Sequence, residues 1–449
     1  MDFIEILKNY QKLNNQKIEL VGFVRTNRNS AKIGFLSLND GTSFDSIQVV
    51  YSNELNNFKE LSLIRIHTAI KVVGTLVLTP NAKQPFEIKA QAIDVLKETS
   101  LDYPLQKKEH SVEFLREIAH LRPRTTTFSS VMRVRSELAN AIHKFFHNKN
   151  FVWVSSPIIT SNDGEGAGEC FNVTTNDKEP FFGRTACLSV TGQLQAEAYA
   201  QAFKKVYTFG PTFRAEKSHT SRHGAEFWMM EPEVAFCDLN GIIDLIQEMI
   251  VFLAKDYKEN CEEEINFFNK LTPELNDRLN SILKNQFAKI SYTEVIEVLQ
   301  KALKKGVVFE DNNIFWGMDL ASEHEKYICE VHFNKPTFVY NYPKEIKAFY
   351  MKQNSDNKTV AAVDLLVPGI GELIGGSQRE DSYEKLLNRC NELKMDITPL
   401  SWYIDLRKYG YYMSSGFGLG FERLIMYFTG INNIRDVIPF PRNHGQIKF

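Results

Sequence analysis

The chain has 449 residues, 43% of them apolar and 24% charged, with a formal net charge of −2. That length fits two or three domains with room for a sizeable core. The near-neutral balance excludes a globally basic nucleic-acid binder, so any RNA must be met by local patches, and no window approaches the roughly 20 apolar residues of a membrane span.

The start, MDFIEILKNYQKL, alternates apolar with charged residues and lacks the basic and apolar regions of a signal peptide, so a cytoplasmic location is expected. From residue 17 to 97 the pattern is that of strands. Ile18, Leu20 and Val24 alternate with polar residues, as do Ile47 and Val49 after the turn-like Asn39-Asp40-Gly41. Ile70, Val72, Leu76 and Leu78 follow, with Gly74 a candidate bulge. Phe86, Ile88 and Ala90 come after the breaker Thr79-Pro80-Asn81, and a helical stretch is expected near Asn53 to Leu63. About five short strands at this spacing predict a small closed barrel, for which the OB-fold is the common form. Residues 101–126, with Pro104 and the charged run Lys107-Lys108-Glu109, read as a linker between that barrel (1–100) and the rest (127–449).

A long amphipathic helix is predicted after Thr127, where Val131, Val134, Leu138, Ile142 and Phe145 recur at spacings of three and four. It runs into a strand at Phe151 to Val154 that stops before Pro157. Strands then dominate to the C-terminus, except that residues 239–330 look like a charged helical insertion, with Lys255 to Glu264 and Val298 to Lys305 as surface stretches. The fold class predicted is therefore α+β. The six cysteines form no C-x-x-C pair and are expected as reduced, buried thiols.

Several motif matches carry no function. The glycines between Gly164 and Gly168 precede no GK[ST], so they form no phosphate loop. Gly416-Phe-Gly-Leu-Gly420 lies in no βαβ unit and has no ribose-binding acid downstream. His324, Cys329 and His332 fit no zinc spacing.

The informative segment runs from Phe213 to Glu233. An apolar strand leads in at Val206 to Phe209, a polar loop turns at Lys217 to Gly224, and a second strand returns from Phe227 to Phe236. Glu231 and Glu233, two apart, share one side of the pleat, and Arg214 and Glu216 are expected to do the same. Four charges on one surface make a poor core, because unpaired buried charge is costly. Their interleaving with Phe213, Phe227, Trp228 and Met230 fits a functional site better than a solvated face, with a structural ion-pair network as the alternative.

This segment resembles motif 2 of the class II aminoacyl-tRNA synthetases, in the wording of the asparaginyl members of the aspartyl, asparaginyl and lysyl subgroup. Gly416 to Tyr427, with Arg435 to Arg442 beyond it, resembles motif 3, and the helix ending at Pro157 resembles motif 1. The resemblance implies a catalytic domain built on an antiparallel sheet flanked by helices, preceded by an OB-fold that reads an anticodon. It implies ligation of L-asparagine to tRNA(Asn) through an adenylate, with ATP as substrate, Mg²⁺ as cofactor, and AMP and pyrophosphate as products; the apolar face of the motif 1 helix suggests a homodimer, with packing of that face inside the subunit as the alternative.

By the same resemblance, Arg214 bridges the α-phosphate and the substrate carboxylate, a task that suits a planar guanidinium. Arg423 meets the γ-phosphate and covers the adenine, Phe227 stacks on its other side, and Glu216 reads its amino group. Arg222 and His223 take the β- and γ-phosphates. Asp364 and Glu372 hold Mg²⁺, while Gly375-Gly376-Ser377 stands where relatives place a hydroxyl ligand. Gln193 and Glu231 hold the α-ammonium. Ala196 stands where aspartate-specific relatives have a lysine, Glu197 takes the side-chain NH₂, and Arg379 gives to its C=O. Asp163 to Glu169 resembles a lid, and Phe35 and Gln48 resemble the residues that stack on and read anticodon bases. Other readings are an aspartyl-tRNA synthetase with relaxed tRNA choice, an ammonia-using asparagine synthetase, and a non-catalytic tRNA-binding relative. The barrel opposes the second, and the presence of Arg214, Arg423 and Glu372 opposes the third.

Overall fold

A computed structural model of the chain describes all residues except 83, 163, 165–169, 176, 177, 219 and 285. It divides into two compact units, Met1–Ser111 and Val112–Phe449.

In the first unit five strands close a barrel in the order β1-β2-β3-β5-β4. They are β1 (Lys17–Asn29), β2 (Ile33–Asn39), β3 (Ile47–Ser52), β4 (Ala69–Leu78) and β5 (Phe86–Lys97). The alternation predicted from sequence is the inward face: Leu20, Val24, Val49, Ile70, Val72, Leu76 and Ile88 are all buried in one cluster. At Gly74 the register of β4 against β5 shifts, as expected of a bulge. A Cβ there would press on the Lys89 carbonyl oxygen at 2.5 Å, which leaves only glycine. The helix expected near Asn53 to Leu63 shrinks to one turn, Phe58–Leu61.

The strands of the second unit are β6 (Val152–Trp153), β7 (Ile159–Thr160), β8 (Asn172–Val173), β9 (Ala186–Leu188), β10 (Lys205–Phe213), β11 (Glu226–Ala235), β12 (Ala288–Ser291), β13 (Thr337–Pro343), β14 (Thr359–Val367), β15 (Gly371–Gln378) and β16 (Ser414–Gly420). Eight of them form one sheet in the order β12-β13-β14-β15-β16-β11-β10-β6, antiparallel except for the pair at each edge. β7, β8 and β9 make a small separate sheet.

The long helix forms at Thr126–Asn148, with the Thr125 side chain capping it by accepting from Phe128 N. Its apolar face, Val131, Val134, Leu138, Ile142 and Phe145, packs within the subunit against the Leu239–Asn260 helix and the main core. That face therefore offers nothing to a second chain. The stretch read as an insertion is likewise integral. Ile242, Ile246, Met249, Phe268 and Leu279 belong to the same core, and β12 adds an edge strand to the sheet. Polar residues on the outer faces of these helices gave the stretch its charged composition.

The expected linker is split. Residues 101–111 lie in the first unit, but the Val112–Glu117 helix and the Arg122–Arg124 turn are held in the second. Arg116 grips Asp436 through Nε at 2.9 Å and Nη2 at 2.6 Å. Buried Arg122 reaches the same carboxylate at 3.5 Å and donates to the Arg435, Ile438 and Pro439 carbonyls.

Candidate active site

The hairpin of β10 and β11 forms the floor of the site, with Thr208 opposite Glu231 and Val206 opposite Glu233. Arg214 and Glu216 lie beyond the end of β10, in the loop, so they reach the site from a turn and not from a shared pleat. β16 runs beside β11, and its alternate glycines, read in the sequence as part of motif 3, have a steric reason. A Cβ on Gly416 would collide with the Glu233 carboxylate, and one on Gly418 would lie 2.8 Å from Met229 Cε. Glycine at every second position keeps one face of the strand open.

Arg214, Glu216, Arg222, His223, Phe227, Glu372 and Arg423 line a single pocket above this floor. The Arg214 guanidinium carbon is 5.6 Å from the Phe227 ring centroid. Arg423 Nη1 donates to the Glu372 carbonyl at 3.0 Å and lies 3.3 Å from its carboxylate. Arg222 Nη1 donates to Ser322 Oγ at 2.7 Å. Burial lowers the His223 imidazole, with Glu216 opposing and Arg423 reinforcing.

Asp364 and Glu372 stand on paired strands β14 and β15. A Cβ on Gly375 would lie 3.1 Å from Glu372 Oε1 and 3.4 Å from Asp364 Oδ1, so both carboxylates converge over that glycine. Lys347, which sequence reading missed, sits 2.6 Å from Asp364 Oδ2. Burial raises the Asp364 carboxyl against the pull of Lys347, whereas at Glu372 the pull of Arg423 and Lys347 outweighs burial and holds it low. Ser377 accepts from Arg379 Nη1 at 2.6 Å. Among the described residues no three His, Cys, Asp or Glu side chains form a metal cage. His324 accepts from Ala321 N, its ring lies 3.0 Å from the Asp311 carbonyl, and it serves packing.

A second, buried cluster adjoins the pocket. Glu231 is held by neutral donors only among the described residues: Thr191 Oγ1, Gly192 N at 2.8 Å and Thr208 Oγ1 at 3.0 Å. Arg379 forms a two-pronged pair with Glu233, through Nε at 3.2 Å and through Nη2. Its Nε lies 3.7 Å from Glu197 Oε1. Burial pushes the Glu233 carboxyl up while Arg379 pulls it back. Glu197, fully buried beside Ala196 on the Gln193–Phe203 helix, accepts from Gln193 Nε2 at 3.2 Å, Tyr403 Oη at 2.8 Å, Tyr411 Oη at 3.0 Å and Arg407 Nη2 at 2.9 Å. Sequence reading missed Arg407, Tyr403 and Tyr411. The spacing of Tyr403 and Arg407, one helical turn apart, was their only local signal.

Three carboxylates thus share this interior with two guanidiniums.

Phe35 is exposed on β2 of the barrel, so it is not a core residue. Gln48 on β3 lies 3.4 Å from Glu87. The Asp163 to Glu169 stretch, Gly164 apart, is outside the described residues.

The model of the class II tRNA synthetases (D, K and N) matches residues 111–444, and that of the OB-fold nucleic acid binding domain matches 18–96. The asparagine–tRNA ligase of Mycoplasma capricolum is 55% identical over the full length of both chains, and that of Ureaplasma urealyticum 54% identical over 98% of each. The crystal structure of asparaginyl-tRNA synthetase from Pyrococcus horikoshii complexed with asparaginyl-adenylate superposes with a TM-score of 0.88 at 35% identity, covering 97% of each chain. Likeness of this extent runs through both units and through every strand that lines the pocket, and the chain belongs to the class II tRNA synthetases of the D, K and N group.

Proposed function

We propose that the chain ligates L-asparagine to tRNA(Asn): ATP and asparagine form asparaginyl-adenylate with release of pyrophosphate, and the tRNA then takes the asparaginyl group with release of AMP. The observation that carries the choice of substrate is the side-by-side placement of a buried guanidinium and a buried carboxylate, Arg379 and Glu197, 3.7 Å apart. A carboxamide has one accepting and one donating end, and this pair offers a donor for the first and an acceptor for the second. Aspartate would set its carboxylate against Glu197, and the like-charge contact with the lost hydrogen bond gives a rejection on the order of 10⁴. Ala196, in place of a lysine, leaves no cation there for an acidic side chain.

Adenylation requires no enzyme nucleophile, because the substrate carboxylate itself attacks the α-phosphorus and pyrophosphate departs in line. The chain's part is positioning and charge stabilisation. Glu231 and Gln193 hold the α-ammonium and so aim the carboxylate. Arg214 binds that carboxylate and the α-phosphate together. Phe227 and Arg423 sandwich the adenine, Glu216 accepts from its amino group, and Arg222, His223 and Arg423 take the β- and γ-phosphates.

Asp364 and Glu372 fit Mg²⁺, which takes oxygen ligands and commonly binds one or two carboxylates together with substrate phosphates. When bound, the ion would neutralise phosphate charge. Lys347 keeps Asp364 oriented for that task.

Phe35 and Gln48 serve the anticodon, by stacking and by base-edge contact. A homodimer is supported by the sheet edge, not by the long helix. β6 is the last strand, and Val152 and Trp153 are exposed on it. No helix among the described residues is long and apolar enough to cross a membrane, in keeping with work on tRNA in the cytoplasm.

The test is amino-acid-dependent ATP–pyrophosphate exchange. Asparagine is expected to drive it with a kcat/KM several orders of magnitude above that of aspartate, and equal activation by aspartate would overturn the assignment.

A further inference from the structure

The segment that carries Tyr403, Arg407 and Tyr411 has no place in the reaction as described so far, yet it holds both groups that read the amide. Arg407 is buried with its guanidinium carbon 4.2 Å from the Tyr403 ring centroid and 4.1 Å from that of Tyr411. Its Nη2 donates to Glu197 Oε2 at 2.9 Å, and its Nε donates to the Glu380 carbonyl at 3.0 Å. Glu380 follows Arg379 directly. The arginine therefore spans from the side chain of one amide reader to the backbone of the residue that follows the other.

Two further contacts close the frame. The Tyr403 hydroxyl lies between both oxygens of Glu197, at 2.8 and 2.9 Å. The Tyr411 hydroxyl reaches Glu197 Oε2 at 3.0 Å and also contacts Ser414 Oγ. Ser414 in turn accepts from Arg379 N at 2.8 Å. Glu197 on its helix and Arg379 at the end of β15 belong to separate elements, and this frame ties them together through Arg407 and through Tyr411 with Ser414. A planar guanidinium with donors on several edges, stacked between two rings, makes a stiffer spacer than any lysine.

We propose that Arg407, clasped between Tyr403 and Tyr411, is a positioning residue that sets the distance between Glu197 and Arg379 and thereby decides for the carboxamide against the carboxylate. It does not touch the substrate. The inference rests on Glu197 and Arg379 being the amide readers, and it adds that their selectivity depends on a spacer neither of them supplies. A reader pair displaced by a fraction of an ångström loses the match to the amide, while the adenine and phosphate contacts lie in the other pocket and keep theirs.

The experiment uses the full chain with Arg407→Lys, Tyr411→Phe and, as reference, Glu197→Gln. Pyrophosphate exchange is measured with asparagine and with aspartate, alongside the KM for ATP and the thermal unfolding midpoint. Tyr411→Phe removes one hydroxyl and is expected to raise the asparagine KM about tenfold, and Arg407→Lys roughly a hundredfold. The asparagine-to-aspartate ratio of kcat/KM is expected to narrow by similar factors, with the ATP KM unchanged. Should Arg407→Lys not fold, Tyr411→Phe carries the test alone. An unchanged ratio in folded variants, or a parallel loss for both amino acids with a raised ATP KM, overturns the spacer role if Glu197→Gln does narrow the ratio. An unchanged ratio in Glu197→Gln overturns the underlying reading instead.

Discussion

Arg379 and Glu233 face each other across β15, β16 and β11 in a two-pronged ion pair, and Gly416 on the intervening strand is what lets them meet. Glu233 was legible in sequence only as one of two acids on a pleat, and its partner defines its use. It fixes the plane of a guanidinium whose Nη1 donates to Ser377 and whose Nε lies 3.7 Å from Glu197. Replacing Glu233 by Gln would leave that buried cation with a neutral partner. We expect a loss of about 3–5 kcal/mol from the second unit in urea unfolding, with a raised asparagine KM in the surviving fold. Wild-type values for both would show that the pair is dispensable.

Arg214 sits just past β10, its backbone N donating to the Ala225 carbonyl at 3.0 Å and its side chain lining the pocket. Arg214→Lys keeps the charge but loses the fork that bridges two oxyanions. The expected result is a fall of roughly 10²–10³ in kcat for adenylation, the scale of losing one transition-state donor, with an unaltered unfolding midpoint. Single-turnover formation of the adenylate measures it, and a fall confined to KM would assign Arg214 to ground-state binding.

Phe35 lies opposite Arg28 on β1, exposed on the barrel. Stacking on such a ring is worth roughly 1–3 kcal/mol per base. Phe35→Ala should therefore raise the KM for tRNA by about 5- to 150-fold while pyrophosphate exchange, which requires no tRNA, stays at the wild-type rate. Equal tRNA KM values in the two proteins would remove Phe35 from the interface.

Glu325 accepts from Glu372 N at 3.0 Å, and burial, with Glu372 beside it, raises its carboxyl from 4.5 to about 7. The folded state therefore holds a proton that the unfolded chain has released. This contribution to stability is complete below about pH 4.5 and disappears as pH rises through about 7, with a slope of up to ~1.4 kcal/mol per pH unit. Unfolding of the second unit with chelator present should become easier between about pH 5 and about pH 8, and Glu325→Gln should flatten the profile. A slope identical in both proteins would assign it to other groups.

The barrel was readable because each strand is half-buried and alternates, so Leu20, Val24 and Ile70 announced their face. The hairpin was readable because charge alternating with aromatics is rare in a core. The long helix misled about a partner, since an apolar face declares that it is covered but not by what. The charge of residues 239–330 likewise hid a core lying beneath it. Glu197 shows the deeper limit. Its partners Tyr403 and Tyr411 are 206 and 214 residues away along the chain, and a lone tyrosine or arginine on a short helix carries no local mark of that contact.

The reader cluster has one more consequence, for how the two substrates respond to ionic strength. Glu197, Glu231, Glu233, Arg379 and Arg407 are all buried, and mobile ions screen exposed charges over about 8 Å at physiological salt while reaching buried pairs far less. Engagement of tRNA phosphates releases counterions and weakens steeply as salt rises. Selection of the amino acid is thus insulated from the electrolyte, and capture of the nucleic acid is exposed to it. A shift in cellular ion content would change how often the chain meets its tRNA but leave unchanged which amino acid it delivers.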